Sequence, residues 1–173
     1  MSDWNACFDF MMNNEDPARA CAAESDECPA GCVGPCFAIA GINSGVFPQQ
    51  FAEIVALPRG ERETAIEAFY QKNFWNQWFA QLVSDQVAMR VFDAAVNMGP
   101  GTAVGLLQQA VNSFHQGNPL AVDSGWGPLT LAATNACNPL TLVPAFRHAR
   151  VAHLEEHDAG NPALAALIAR AQK

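Results

Sequence analysis

Positive charge is scarce in this 173-residue chain: nine Lys plus Arg stand against seventeen Asp plus Glu, a formal net charge of −8. A nucleic-acid binder needs a basic face that displaces counterions, so that class is excluded. The same deficit removes long-range steering towards an anionic polymer. No N-terminal targeting segment is expected either. Met1-Ser2-Asp3 offers no basic region, and Asp9, Asn13 and Asn14 interrupt the apolar residues beyond it. No apolar window approaches the length of a membrane span, so no membrane insertion is expected. There is no internal repeat and no low-complexity tail. What is present is hydrophobic residue, half of the chain. That composition supports a sizeable core and one domain over residues 1–173.

Six cysteines are the next signal, and Cys7, Cys21, Cys28, Cys32 and Cys36 crowd the first 36 residues while Cys137 stands far away. Three disulfides, stapling a loop at about 17–36, is the favoured reading for an oxidising destination. A zinc site built from Cys21, Cys28, Cys32 and Cys36 is the rival, because the gaps suit metal ligands, and free or partly paired thiols are the third reading. In each case the cysteines shape the loop and do no chemistry.

Almost everything else reads as helix. Trp4, Cys7, Phe8, Met11 and Met12 recur at helical spacing behind Ser2 or Asp3 as N-cap, and Asp16-Pro17 ends or bends that helix. Residues 18–35, rich in Cys, Gly and Pro, read as an irregular loop or a short helix. Gly41 and Gly45 suggest a short β or extended element over 37–47. Helices come next from Pro48, from Glu61 to Tyr70, and through Trp75 to Leu82 after a break near Lys72-Asn73. A nearly all-round apolar helix after Ser84 reads as the central buried one. Met98-Gly99-Pro100-Gly101 ends it, and Ala103 to Val111 continues beyond. Residues 117–128 form a turn-rich connector. Further helices cover 129–136 and 139–157, the latter with a start displaced to Pro144 as an option, and 162–171.

Several polar groups sit where chemistry is available. Glu15 closes the first helix, in Phe10-Met11-Met12-Asn13-Asn14-Glu15. A carboxylic acid at the lip of a cleft, with one side dry, has its pKa raised and can serve as general acid. The bland alternative is a solvated carboxylate at a helix C-terminus, where the dipole disfavours it. Asp26 is the first choice for a second acid across a cleft, ahead of Glu27 beside it and Asp16 next to Glu15, with polar groups that only position water as the alternative. Asp93 and Asn97 lie one turn apart on an apolar helix, so both must be hydrogen-bonded, as structural anchors or, for Asn97, as a substrate ligand. Gly41, with Ile42 and Asn43, allows a close backbone approach to a ligand. Trp75 is core by default, with a face suited to stacking on a sugar. His153-Leu154-Glu155-Glu156-His157 matches the H-x-x-E-H pattern of zinc peptidases, with both histidines on one helix face. No His, Asp or Glu comes after Gly160 to supply a third ligand.

The order of these pieces resembles glycoside hydrolase family 108, the lysozyme-like muramidases. The resemblance rests on Glu15, Ala40-Gly41-Ile42-Asn43, Phe69-Tyr70, Phe74-Trp75, Phe92-Asp93 with Asn97 and Gly99, Leu107-Gln108 and Gly125-Trp126-Gly127-Pro128-Leu129-Thr130. It spans about Phe8 to Arg150. Two departures stand out: Asp16-Pro17 replaces Gly-Gly after the glutamate, and Ala38 stands where the family has Thr, with no Asp just upstream of Gly34-Pro35.

The resemblance implies a mainly α, lysozyme-like helical domain with a short β/loop element near residues 37–47. It implies an N-acetylmuramidase cutting the β-1,4 bond between N-acetylmuramic acid and N-acetylglucosamine of peptidoglycan. Glu15 would be the acid, Asp26 the second catalytic group, and Gly41, Ile42, Asn43, Trp75 and Asn97 would line the substrate, with no metal and no cofactor. A non-catalytic peptidoglycan-binding protein on the same fold is the alternative, and a zinc hydrolase using His153 and His157 a further one. Without a signal peptide, the chain is expected to be made in the cytoplasm. It would act as a monomer in the periplasm or cell wall after export or holin release, with an immunity or inhibitor protein as partner.

Overall fold

A computed structural model describes residues 1–28, 32, 34–114 and 119–173. The parts of the cysteine-rich loop at 29–31 and 33, and of the connector at 117–118, lie outside the described residues. Among the described residues there are nine helices and one three-stranded sheet. No helix of the described residues is long and apolar enough to cross a membrane. The chain forms two compact units, Met12–Asn73 and Met1–Met11 with Phe74–Lys173. Helix α1 (Trp4–Glu15) runs from one into the other.

Asp3 caps α1, its carboxylate accepting from Asn5 N–H at 2.8 Å. Cys7, Phe8, Met11 and Met12 form its buried face, the spacing that the sequence shows. The helix stops at Glu15, because Pro17 comes directly after Asp16.

In the unit Met12–Asn73 the sheet comprises β1 (Glu24–Asp26), β2 (Cys36–Ile39) and β3 (Ile42–Asn43), antiparallel in that order. Glu24 faces Ala38 and Asp26 faces Cys36 in register. Strand β1 corrects the expectation of loop or helix over 18–35. All three of its residues are exposed, so no apolar alternation announces it; its pairing with β2 makes it a strand. Helices α2 (Pro48–Ala56) and α3 (Arg59–Asn73) complete this unit. Proline opens α2 where the missing N–H costs nothing. The buried face of α3 carries Ile66, Phe69 and Tyr70, and the Phe69 ring meets Phe47 and Tyr70 edge-on.

The cysteines follow the reading of partly paired thiols and correct the other two. Among the described residues one disulfide forms, Cys28–Cys36, while Cys7, Cys21, Cys32 and Cys137 are free thiols. Three disulfides are therefore not present, and the bridge takes two of the four thiols the zinc reading required. The bridge lies just beyond the Asp26–Cys36 pair, where the hairpin brings two backbones together.

The other unit is helical: α4 (Gln77–Gln81), α5 (Asp85–Met98), α6 (Pro100–Asn112), α7 (Pro128–Ala136), α8 (Pro139–His157) and α9 (Leu164–Ala171). Helix α5 buries Val87, Ala88, Val91, Phe92, Ala94 and Ala95, but α6, which packs on α5, α7 and α8, is the more central helix and corrects the expectation of a central α5. Around α5 Trp4, Trp75, Phe79 and Phe92 interlock at centroid distances of 5.3–5.7 Å. Helix α8 starts at Pro139 and runs through Pro144, so the option of a start at Pro144 is not taken. The carbonyl that Pro144 leaves without a helical donor is that of Leu140, which is 83% exposed and can turn to water.

Candidate functional site

Asp16, immediately after α1, organises the loop that leads to the sheet. Its carboxylate accepts from Ala20 N–H at 3.0 Å and Cys21 N–H at 2.7 Å. Arg19 reaches Glu63 at 2.6 Å, and Arg62 donates to the Cys21 carbonyl at 3.1 Å while also holding the carbonyls of Val55 and Leu57. Arg19 and Cys21 take left-handed φ values of +50° and +46°. These bonds hold a strained loop against α3, and the loop makes one wall of a cleft.

The cleft has a volume of about 440 Å³ and is lined by Glu15 to Ala18, Ala20, Ala22, Glu24 to Asp26, Ala38, Ala40 and Gly41. One wall is the end of α1 and its loop; the other is the sheet. Among its lining residues the charged ones are all acidic: Glu15, Asp16, Glu24 and Asp26. The remainder are small residues.

Glu15 rests directly on Gly41. A Cβ built at Gly41 would stand 2.5 Å from Glu15 Oε2 and 2.7 Å from its carboxyl carbon. Gly41 itself has φ +79°, a conformation side chains resist. Glycine is thus required twice over, for the turn and for the space. Next to it Ala40 is also left-handed, at +46°, and its carbonyl accepts from the Tyr70 hydroxyl at 2.7 Å.

Asp26 lies across the cleft on β1, exposed. Its Oδ2 accepts from Asn43 Nδ2 at 2.7 Å, its Oδ1 from Glu27 N–H at 2.9 Å. Asn43 also donates to the Glu27 carbonyl and accepts from Gly45 N–H. Asn43 therefore orients Asp26 from β3. Ile42 is fully buried, backbone included, and does not line the cleft. Of the residues singled out in the sequence, Glu15, Asp26 and Gly41 line one cleft, with Asn43 behind Asp26. Asp16, in the sequence a carboxylate adjacent to Glu15, and Tyr70, in the sequence part of the Phe69-Tyr70 motif, also shape this site. Each acts through a backbone group that no local pattern reveals.

Trp75 and Asn97 belong to the other unit. Trp75 stacks on Phe79 at 5.5 Å and meets Trp4 and Phe92 edge-on, a packing role. Asn97 Oδ1 accepts from Arg150 at 3.2 Å. Arg150 also pairs with Asp93 at 2.9 Å, and Arg170 pairs with the same carboxylate at 2.8 Å. Burial pushes the Arg150 guanidinium below its ordinary range, partly offset by Asp93. The expectation that Asp93 and Asn97 need hydrogen-bond partners is met by two arginines far along the chain. Leu107-Gln108 and Gly125 to Thr130, separate motifs in the sequence, form one device. The buried Gln108 amide donates to Asp123, the Gly125 carbonyl and Thr130, and its oxygen accepts from Asp123 and Ser124 N–H. His153 and His157 stack at 4.2 Å, and His157 contacts its own helix backbone at the exposed end of α8. Among the described residues no cluster of three or more His, Cys, Asp or Glu is arranged to hold a metal.

Residues 39–99 match the family model described as glycosyl hydrolase 108, the family that the motifs resemble. The matched stretch begins after Glu15 and Asp26. No curated protein matches the chain. Among solved structures, that of Brucella abortus SagA aligns with a TM-score of 0.62 and 20% sequence identity, covering 97% of this chain and 92% of that one. That likeness establishes the mainly α fold with its small sheet.

Proposed function

We propose that this chain belongs to glycosyl hydrolase family 108 and, on its lysozyme-like fold, hydrolyses the β-1,4 bond between N-acetylmuramic acid and N-acetylglucosamine in peptidoglycan. The observation that carries the reading is the seat of Glu15, its carboxylate held against Gly41 in a cleft that Asp26 also lines. Glu15 donates its proton to the glycosidic oxygen as the bond to the anomeric carbon breaks. The oxygen leaves as a hydroxyl, and positive charge develops on the sugar ring. Carboxylates around the cleft stabilise that charge, Asp26 foremost. Asp26, oriented by Asn43, then accepts a proton from the attacking water, or stabilises the cation while water adds and gives its proton back to the Glu15 carboxylate.

A non-catalytic peptidoglycan binder is the second reading, and one observation favours it: Ala38 puts a methyl group into the cleft where the family has a hydroxyl. One experiment separates the two. Reducing ends released from purified peptidoglycan are measured for the wild type and for Glu15→Gln. Release by the wild type that vanishes in Glu15→Gln supports the glycosidase. Binding of peptidoglycan with no reducing ends from either protein leaves the binder.

In keeping with this reading, the chain works as a monomer on the cell-wall side of the membrane after export or holin release, without metal or cofactor. A dedicated immunity protein would protect the producing cell by filling the acidic cleft. A tight complex that leaves lysis intact would count against that partner.

A further inference from the structure

We infer that Tyr70 is a positioning residue for the general acid, acting on Glu15 through the Ala40–Gly41 turn; this rests on the reading of Glu15 as proton donor. Tyr70 is the one tyrosine of the chain and is 1% exposed on α3. Its ring is fixed by Phe69, edge-on at 5.2 Å. Its hydroxyl donates to the Ala40 carbonyl at 2.7 Å. The same hydroxyl lies 2.9 Å from the point where a Gly41 Cβ would stand, and Glu15 Oε2 lies 2.5 Å from that point. Phenol, turn and carboxylate converge there.

The turn needs a clamp. Ala40, at φ +46°, carries a Cβ in a region that disfavours it, and such a residue persists only where its surroundings over-determine it. Helix α3 is a rigid support, and the buried hydroxyl–carbonyl bond transmits its position to the peptide on which Glu15 rests. Without the hydroxyl, Ala40 relaxes towards negative φ, Gly41 moves, and the carboxylate loses its floor.

Tyr70→Phe removes the hydroxyl and keeps the ring. Its kcat on peptidoglycan is expected to fall about 10-fold or more with KM nearly unchanged, the mark of a misplaced group rather than lost binding. Adding Ala40→Gly should restore most of the kcat, because glycine takes the left-handed turn unaided. A merely structural Tyr70 would lower Tm and leave kcat per folded molecule intact. Wild-type kcat in Tyr70→Phe, or a loss that Ala40→Gly does not restore, overturns the inference.

A second readout needs neither activity nor a Tyr70 variant. Fluorotyrosine labels only position 70 in this chain, and its fluorine resonance should move on Glu15→Gln; a resonance that stays put overturns the inference. Glu15→Gln assayed alongside keeps the two claims apart. Retained activity there defeats the general-acid reading. An inactive Glu15→Gln with a fully active Tyr70→Phe defeats this inference alone.

Discussion

Replacing Gly41 by alanine tests the geometry of the cleft most directly. The added methyl would stand 2.5 Å from Glu15 Oε2, 2.7 Å from its carboxyl carbon and 2.9 Å from the Tyr70 hydroxyl. Ordinary contacts to a methyl carbon are about 3.5–4 Å, so the carboxylate must retreat by roughly 1 Å. A shift of about 1 Å in a reacting group can cost on the order of 100-fold in rate. Separately, alanine at φ +79° adds backbone strain of about 1–2 kcal/mol. For a chain of this length that is a fall in Tm of roughly 2–8 °C. Gly34→Ala separates the two effects: Gly34 also has a positive φ, +103°, but its added methyl meets nothing within 4 Å. Gly34→Ala should therefore lose stability and keep kcat, while Gly41→Ala loses both. The assay is reducing-end release with saturating peptidoglycan, beside thermal unfolding by circular dichroism. Wild-type kcat in a folded Gly41→Ala protein would refute the claim that Glu15 acts from its seat on Gly41.

Asp93→Asn removes the buried partner of Arg150 and Arg170 and should cost about 3–5 kcal/mol in urea unfolding; a loss below about 1 kcal/mol would show that the arginines find other partners. The Asp123 carboxyl is held below the ordinary carboxylate range, chiefly by the Gln108 amide and then by Gly125 N–H. With the folded value below the unfolded one, its contribution to stability is present above the unfolded pKa and fades as pH falls through the folded pKa. In Gln108→Leu its titration, monitored by carboxyl carbon NMR, should return towards the ordinary value, and an unmoved midpoint would contradict the assignment. Alkylation of the native, unreduced protein should mark exposed Cys32 first and leave Cys28 and Cys36 linked. Cys7 should resist until unfolding, its thiol pushed up to about 12 by burial and then by Asp85 and Asp3. Mass spectrometry that finds Cys7 labelled as fast as Cys32 would refute its burial.

Much of the architecture is legible in the chain because helices announce themselves locally. The apolar period of Trp4 to Met12, the proline after Asp16 and the glycine at 99 act within a turn or two of themselves, and the observed helix ends agree with them. The strand Glu24–Asp26 is illegible for the opposite reason: three exposed polar residues become a strand only when Cys36–Ile39 lies beside them. Cysteine pairing is equally non-local, since it depends on which backbones the hairpin brings close. Of the candidate site, Glu15, Asp26 and Gly41 are marked by residue type and order. The parts played by Asp16, Asn43 and Tyr70 are not, because each works through a backbone group or a side chain that only folding supplies.

The sequence by itself determined the helical composition, the acidic charge and the presence of a glutamate where α1 must end. These are properties of neighbouring residues and of sums over the chain. Tertiary structure alone decided that Gly41 lies under Glu15, that Asn43 holds Asp26, and that Asp93 is neutralised by arginines 57 and 77 residues away. A carboxylate acquires its surroundings from whatever the fold brings within a few ångströms, and no local pattern records that distance.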